Sequence, residues 1–127
     1  MERILGYLKQ REIPVGLVTS TSYQIVLEYL KSAGILDYFR VIVTGDMIEH
    51  SKPQPDIYLL ACRKLGVEPS KTYAIEDSPN GLLAAYRAGL KSVLVPDMIE
   101  PTQEMRNQSH QIFYDLTEVM RFFQEIV

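Results

Sequence analysis

The sequence is short of cysteine, of clustered positive charge and of long apolar runs. Cys62 is the one cysteine, so an internal disulfide is excluded and a reducing, cytoplasmic setting is expected. The 13 basic and 16 acidic residues are mixed along the chain and leave a net charge of -3. No basic run or stripe exists to meet a phosphate backbone or an anionic lipid surface, so nucleic acid and membrane are poor partners. No apolar run approaches the roughly 18 residues of a membrane span. The opening MERILGYLKQ is too charged to be a secretion signal. Internal repeats and low-complexity tracts are also missing. His50 and His110 have no metal-like spacing with each other or with Cys62, and read as surface residues. Cys62 shares a helix with Ala61 and Leu65, which reads as core packing rather than catalysis.

Hydrophobic residues make up 46% of the 127, enough to bury a core, and the length suits one domain. Ile4, Leu5 and Leu8 predict an amphipathic helix that Pro14 stops. Four short apolar runs then read as strands: VGLVTS (Val15 to Ser20), RVIVTG (Arg40 to Gly45), KTYAIE and KSVLVP. Between them lie amphipathic helices. TSYQIVLEYLKSAG has a hydroxyl cap among Ser20, Thr21 and Ser22, an inner stripe of Val26, Tyr29, Leu30 and Ala33, and a stop at Gly34. A second helix spans Asp56 to Leu65 before Gly66. SPNGLLAAYRAG is the clearest, with Ser78 as cap, Pro79 in the first turn and Gly89 past the end. Residues 97–116 read as irregular, and LTEVMRFFQEIV as a closing helix carrying Val119, Phe122, Phe123 and Ile126. The tyrosines read as core and edge packing. Apolar strands alternating with helices predict a three-layer α/β/α, Rossmann-like parallel sheet.

Such sheets bind ligands at the carboxyl ends of their strands. Thr19-Ser20 ends the first strand, Thr44-Gly45-Asp46 the second, and Glu76-Asp77 the third, with Lys52 in the loop after the second. Each has a plain reading alone. Thr19 and Ser20 serve as helix caps, Lys52 as a solvated lysine, and Asp77 as a charge at a helix dipole. Together they are the residue types that a phosphate with a divalent cation needs. Carboxylates are hard oxygen ligands for Mg²⁺, a lysine neutralises phosphate charge, and hydroxyls and free helix amides donate to phosphate oxygens. A cation would also relieve the repulsion between the adjacent Glu76 and Asp77. Pro53 biases Lys52 toward an extended backbone, so KPQPD reads as a stiff arm.

With these spacings the chain resembles the haloacid dehalogenase-like hydrolases, in the branch with a helical cap that includes beta-phosphoglucomutase and phosphoglycolate phosphatase. VGLVTSTS, SKPQPDIY and AIEDSPNGLLAAYRAG resemble that family's second, third and fourth motifs, over about residues 2 to 96. The resemblance implies that Thr19 holds the transferring phosphoryl group with help from the Ser20 amide. It makes Lys52 the residue that balances the charge of nucleophile and phosphate. Asp77 would ligate Mg²⁺, and Glu76 the ion or its waters. The implied reaction transfers phosphoryl from a small phosphorylated metabolite to water through an aspartyl-phosphate; a mutase is the nearest variant. A receiver domain of the response-regulator kind fits poorly, because its acidic pair follows the first strand.

The family's first motif, an Asp-x-Asp strand end whose first aspartate attacks phosphorus, occurs nowhere in the 127 residues. The chain therefore resembles the C-terminal part of one core domain, residues 1–127, without the cap and without the central nucleophile-bearing strand. Met1 would be an internal methionine, a start-site artefact or the product of a cut in an exposed linker. Three outcomes are expected for the two inner strand edges this leaves. They close on each other, two copies share strands, or a separate N-terminal fragment fills the gap. Without a nucleophile the chain alone is expected to be inactive; a non-catalytic assembly module is the rival of a different class. The cap and its linkers select the substrate in this family, so its identity is not legible.

Overall fold

The computed structural model describes residues 1–127. Its elements are α1 (Glu2–Gln10), β1 (Gly16–Thr19), α2 (Tyr23–Ala33), β2 (Val41–Thr44), α3 (Asp56–Leu65), β3 (Tyr73–Glu76), α4 (Pro79–Ala88), β4 (Lys91–Leu94), α5 (Gln103–Gln108), β5 (Gln111–Ile112) and α6 (Leu116–Ile126). Every strand pair is parallel: β1 with β2, β3 with β4, and β4 with β5. The strands form two sheets, β1-β2 and β3-β4-β5, and β1 shares no ladder with β3. Closure of the inner edges on each other, one of the three expected outcomes, is not what the chain does.

Neighbouring residues of β3 point to opposite faces and show which helices cover each. Tyr73 packs on Ile4 and Leu8 of α1 and Val119 and Phe123 of α6, a cluster that Val15 and Val95 also join. Ala74 belongs to the opposite cluster, built from α3 and α4 through Ile57, Ala61, Cys62, Ala84 and Ala85, together with Val43 of β2. Both helical layers thus reach both sheets. Ile75, on the Tyr73 face of β3, is 38% exposed. A filled parallel sheet buries such a position on both sides.

Local signals set the helix ends. The Ser78 hydroxyl accepts from the Gly81 amide at 3.2 Å, Pro79 opens α4, and Gly89 ends it at φ +89°, a conformation that side chains disfavour. Some expectations fail. Tyr29 is 67% exposed and Ala33 is exposed too, so α2 buries only Val26 and Leu30. At the end of the chain, where α6 tapers off, Ile126 is also exposed. Residues 97–116 are not irregular throughout. Thr102 caps α5 by accepting from the Met105 amide at 3.1 Å, Met105 packs on Leu82 and Leu94, and the two-residue β5 extends the sheet. Elements this short carry no legible periodicity. Cys62 is buried as expected, and burial pushes its thiol pKa up. No helix is long and apolar enough to cross a membrane.

Ile57 is fully buried between α3 and the sheet, whereas Ile25 on α2 is 61% exposed. Ile57→Ala is expected to destabilise the fold by about 2–5 kcal/mol in urea unfolding. Ile25→Ala should stay within about 0.5 kcal/mol of the parent.

Candidate functional site

Glu76 shares the face of Ala74, so it points under α3 and α4 and its side chain is 7% exposed. A carboxylate buried there must be paired. Lys52 reaches it from the β2–α3 loop, with Nζ 2.9 Å from Glu76 Oε2 and its own side chain 16% exposed. The Tyr58 hydroxyl, on the first turn of α3, donates to the same oxygen. Lys52 Nζ also stands 5.6 Å from the centre of the Tyr58 ring. The second oxygen, Oε1, lies against Gly81 of α4, and a Cβ on that glycine would collide with it. Burial and the neighbouring carboxylate push the Tyr58 phenol far above its ordinary range, so it stays a neutral donor.

The loop that carries Lys52 is clamped at both ends. Asp56 Oδ2 lies 3.1 Å from both the His50 backbone nitrogen and the His50 ring Nδ1. Arg87 of α4 donates to the Pro53 carbonyl at 3.4 Å. His50 is exposed, as expected, but it is not idle.

At the tip of β1, Thr19 Oγ1 accepts from the Thr21 amide at 3.2 Å and shapes the turn into α2. Ser20 is exposed, and its carbonyl lies so close to Gly45 that a Cβ there would come within 2.5 Å. Glycine at 45 therefore lets the β1 and β2 tips touch. Next to it the Thr44 hydroxyl donates to Asp46 Oδ1 and is the main cause holding that carboxyl below the usual range. Asp77, just past the end of β3, is exposed and joins no ion pair.

The structure thus joins Lys52 to Glu76 and sets Thr19 and Ser20 at the tip of β1, in the other sheet. Of the two adjacent carboxylates, Glu76 is buried and Asp77 exposed. As a divalent-cation site these residues fit only in part. Asp77 is open, Glu76 is held by Lys52 and Tyr58, and no three His, Cys, Asp or Glu side chains gather anywhere. Tyr58 and Gly81 escaped the sequence reading, whereas Thr44 and Asp46 were named there only as polar residues at the end of the second strand. Gly81 carried a signal: glycine inside a helix costs about 1 kcal/mol relative to alanine and so has a reason to be there. A groove of about 580 Å³ lined by Lys9, Pro14, Val15, Tyr38 and Arg40 lies at the amino ends of β1 and β2, away from these residues.

Residues 1–95 match the family described as "Haloacid dehalogenase-like hydrolase". The chain belongs to that family. YhcW of Bacillus subtilis is 41% identical over 112 residues, which is 88% of this chain and 51% of YhcW. Phosphoglycolate phosphatase of Escherichia coli K12 is 37% identical over 89 residues, covering 70% of this chain and 35% of that protein. A Thermotoga maritima crystal structure provisionally assigned to beta-phosphoglucomutase superposes with a TM-score of 0.90 at 30% identity, over 99% of this chain and 59% of that one. The chain spans about half the length of YhcW and about a third of the phosphoglycolate phosphatase. The α/β layering and the helical-cap branch read from the three motifs agree with these relatives.

Two substitutions test the geometry. Alanine normally stabilises a helix interior, but Gly81→Ala drives a methyl into the Glu76 carboxylate and is expected to destabilise by about 1–3 kcal/mol in chemical denaturation. Thr44→Val removes the hydroxyl on Asp46, so the Asp46 carboxyl should titrate at higher pH than in the parent when followed by carbon NMR. Because the native Asp46 pKa is lowered, its contribution to stability is present above the unfolded pKa and is lost as pH falls through the folded one.

Proposed function

We propose that this chain is the phosphate-binding core of a phosphohydrolase that acts on a small phosphorylated metabolite. The observation that carries the reading is the buried Lys52–Glu76 ion pair at the carboxyl end of β3, with Thr19-Ser20 at the carboxyl end of β1. The expected extended arm is instead a turn, closed by the Gln54 amide on the Ser51 carbonyl, and a lysine held in such a clamped turn is suited to a dianion. The phosphatase relatives support the same substrate chemistry. In this reading Thr19 Oγ1 and the Ser20 amide hold the phosphoryl oxygens, and Lys52 offsets their charge. Asp77, with Glu76 once it is free, holds Mg²⁺, which when bound supplies further positive charge at the phosphate.

The reading places residues 1–127 in one core domain with no cap. The nucleophile lies outside them, because no Asp-x-Asp is present. The unpaired inner edges of β1 and β3 and the exposed Ile75 support a parallel strand entering between the two sheets, from an N-terminal fragment or a second copy. In the complete enzyme an aspartate on that strand takes the phosphoryl group, and water releases it. The same missing motif favours, for the chain by itself, a non-catalytic assembly role. A mutase differs through cap residues that this chain does not contain. A cytoplasmic location belongs to the same reading.

Titration of the ¹⁵N-labelled chain with inorganic phosphate is expected to shift the Thr19, Ser20 and Lys52 amides first. Thr19→Val should weaken that binding about fivefold, the equivalent of one hydrogen bond. The purified chain should turn over p-nitrophenyl phosphate with Mg²⁺ no faster than buffer. Phosphate shifts centred elsewhere, or binding indifferent to Thr19→Val, would sink the phosphate reading; magnesium-dependent turnover would sink the inactivity.

A further inference from the structure

The tips of β1 and β2 are tied together by more than their ladder. Thr19 lies opposite Thr44 in register. Just past them, Gly45 comes so close to the Ser20 carbonyl that a side chain at 45 would collide with it. The next residue, Asp46, turns back on this contact, and its Oδ1 accepts from the fully buried Thr44 hydroxyl. After Thr44, the Tyr23 backbone amide is a further hydrogen-bond partner that favours the charged carboxylate.

Tyr23 opens α2, and α2 has no cap of its own. Its N-cap residue, Ser22, makes no side-chain cap bond, and its first turn holds no acidic residue. By contrast, Ser78, Thr102 and Asp115 cap α4, α5 and α6 with their own side chains. The first amides of a helix have no partner within it, so a carboxylate from elsewhere in the chain is a strong substitute.

The geometry points to Asp46 as a positioning residue: reaching from the tip of β2, it caps α2 and holds the turn of residues 19–22 in the shape that meets a phosphoryl group. The other fastening of that turn is Thr19 Oγ1, which accepts from the Thr21 amide and keeps its own hydrogen to donate. The charge of Asp46 is spent within the protein, on Thr44 and Tyr23, so an acid at this rim is compatible with an anion nearby. This rests on the phosphate reading above, and adds to it a residue that acts through the turn and not on the phosphate.

The test is titration of the ¹⁵N-labelled parent, Asp46→Ala and Asp46→Asn with inorganic phosphate, followed at the Thr19 and Ser20 amides. Asp46→Ala is expected to bind about fivefold more weakly, the equivalent of one hydrogen bond. Asp46→Asn keeps an acceptor oxygen without the charge and should stay within about twofold of the parent. That rescue separates positioning from charge, because a carboxylate that merely repelled phosphate would leave both variants binding tighter. Tighter binding in both, an alanine variant that matches the parent, or an asparagine variant no better than alanine overturns the inference. A parent that binds no phosphate overturns the phosphate reading itself.

Hydrogen exchange at the Tyr23 amide tests the cap without phosphate. In Asp46→Ala this amide is expected to exchange several-fold faster than in the parent, while that of Leu30, buried further along α2, keeps its rate and shows the helix intact. An unchanged Tyr23 rate overturns the inference whatever the phosphate result.

Discussion

Glu76 sits where a carboxylate is least welcome, at the end of a strand beneath two helices, and the surrounding structure answers that one charge. Lys52 and Tyr58 meet on one of its oxygens, and Gly81 makes room for the other. Removing one partner of such a pair costs about 3–5 kcal/mol, because the survivor is left buried and charged. The pair therefore does more than neutralise. It pins the β2–α3 loop across the first turn of α3, and it fixes how close α4 approaches β3. The His50–Asp56 and Arg87–Pro53 contacts hold the same loop from outside. Two stretches of chain, 52–58 and 76–81, are tied at a single carboxylate.

The second constraint is the seam. Two parallel sheets share both helical layers but no ladder, so the helices alone set the spacing between β1 and β3. A hydrophobic layer is non-directional and tolerates a gap in the sheet it covers. Backbone edges are directional and do not. That difference explains how the chain keeps the layering of the Thermotoga maritima structure, with a TM-score of 0.90, while leaving strand edges unpaired. It also locates the weakness. Ile75 is open to solvent in the strand that carries Glu76 at its end.

Much of this was legible because the repeating signals are strong. Val41–Thr44 and Lys91–Leu94 are runs of apolar residues too short for a helix, and Ser78-Pro79 with Gly89 brackets α4 by cap and stop chemistry. In a parallel sheet, knowing the strands is enough to gather Thr19, Glu76 and the loop of Lys52 toward the carboxyl ends. Tyr58 was not legible. Its partner is 18 residues away and on another element, and no local pattern separates a tyrosine that packs from one that donates. Tyr29 misled for the related reason that a helical stripe says which residues share a face, not how wide the buried part of that face is. The strand β5 was lost because two residues have no period.

The adjacent acids Glu76 and Asp77 look in sequence like a pair that shares one ligand. Glu76 is the last residue of β3 and Asp77 the first beyond it, and the two differ in burial. Glu76 lies in the α3–α4 layer and must find a cation within the protein; Asp77 stays in water and needs none. The buried residue couples to the fold through Lys52, whose long side chain is carried by a clamped loop and whose ammonium rests on that carboxylate.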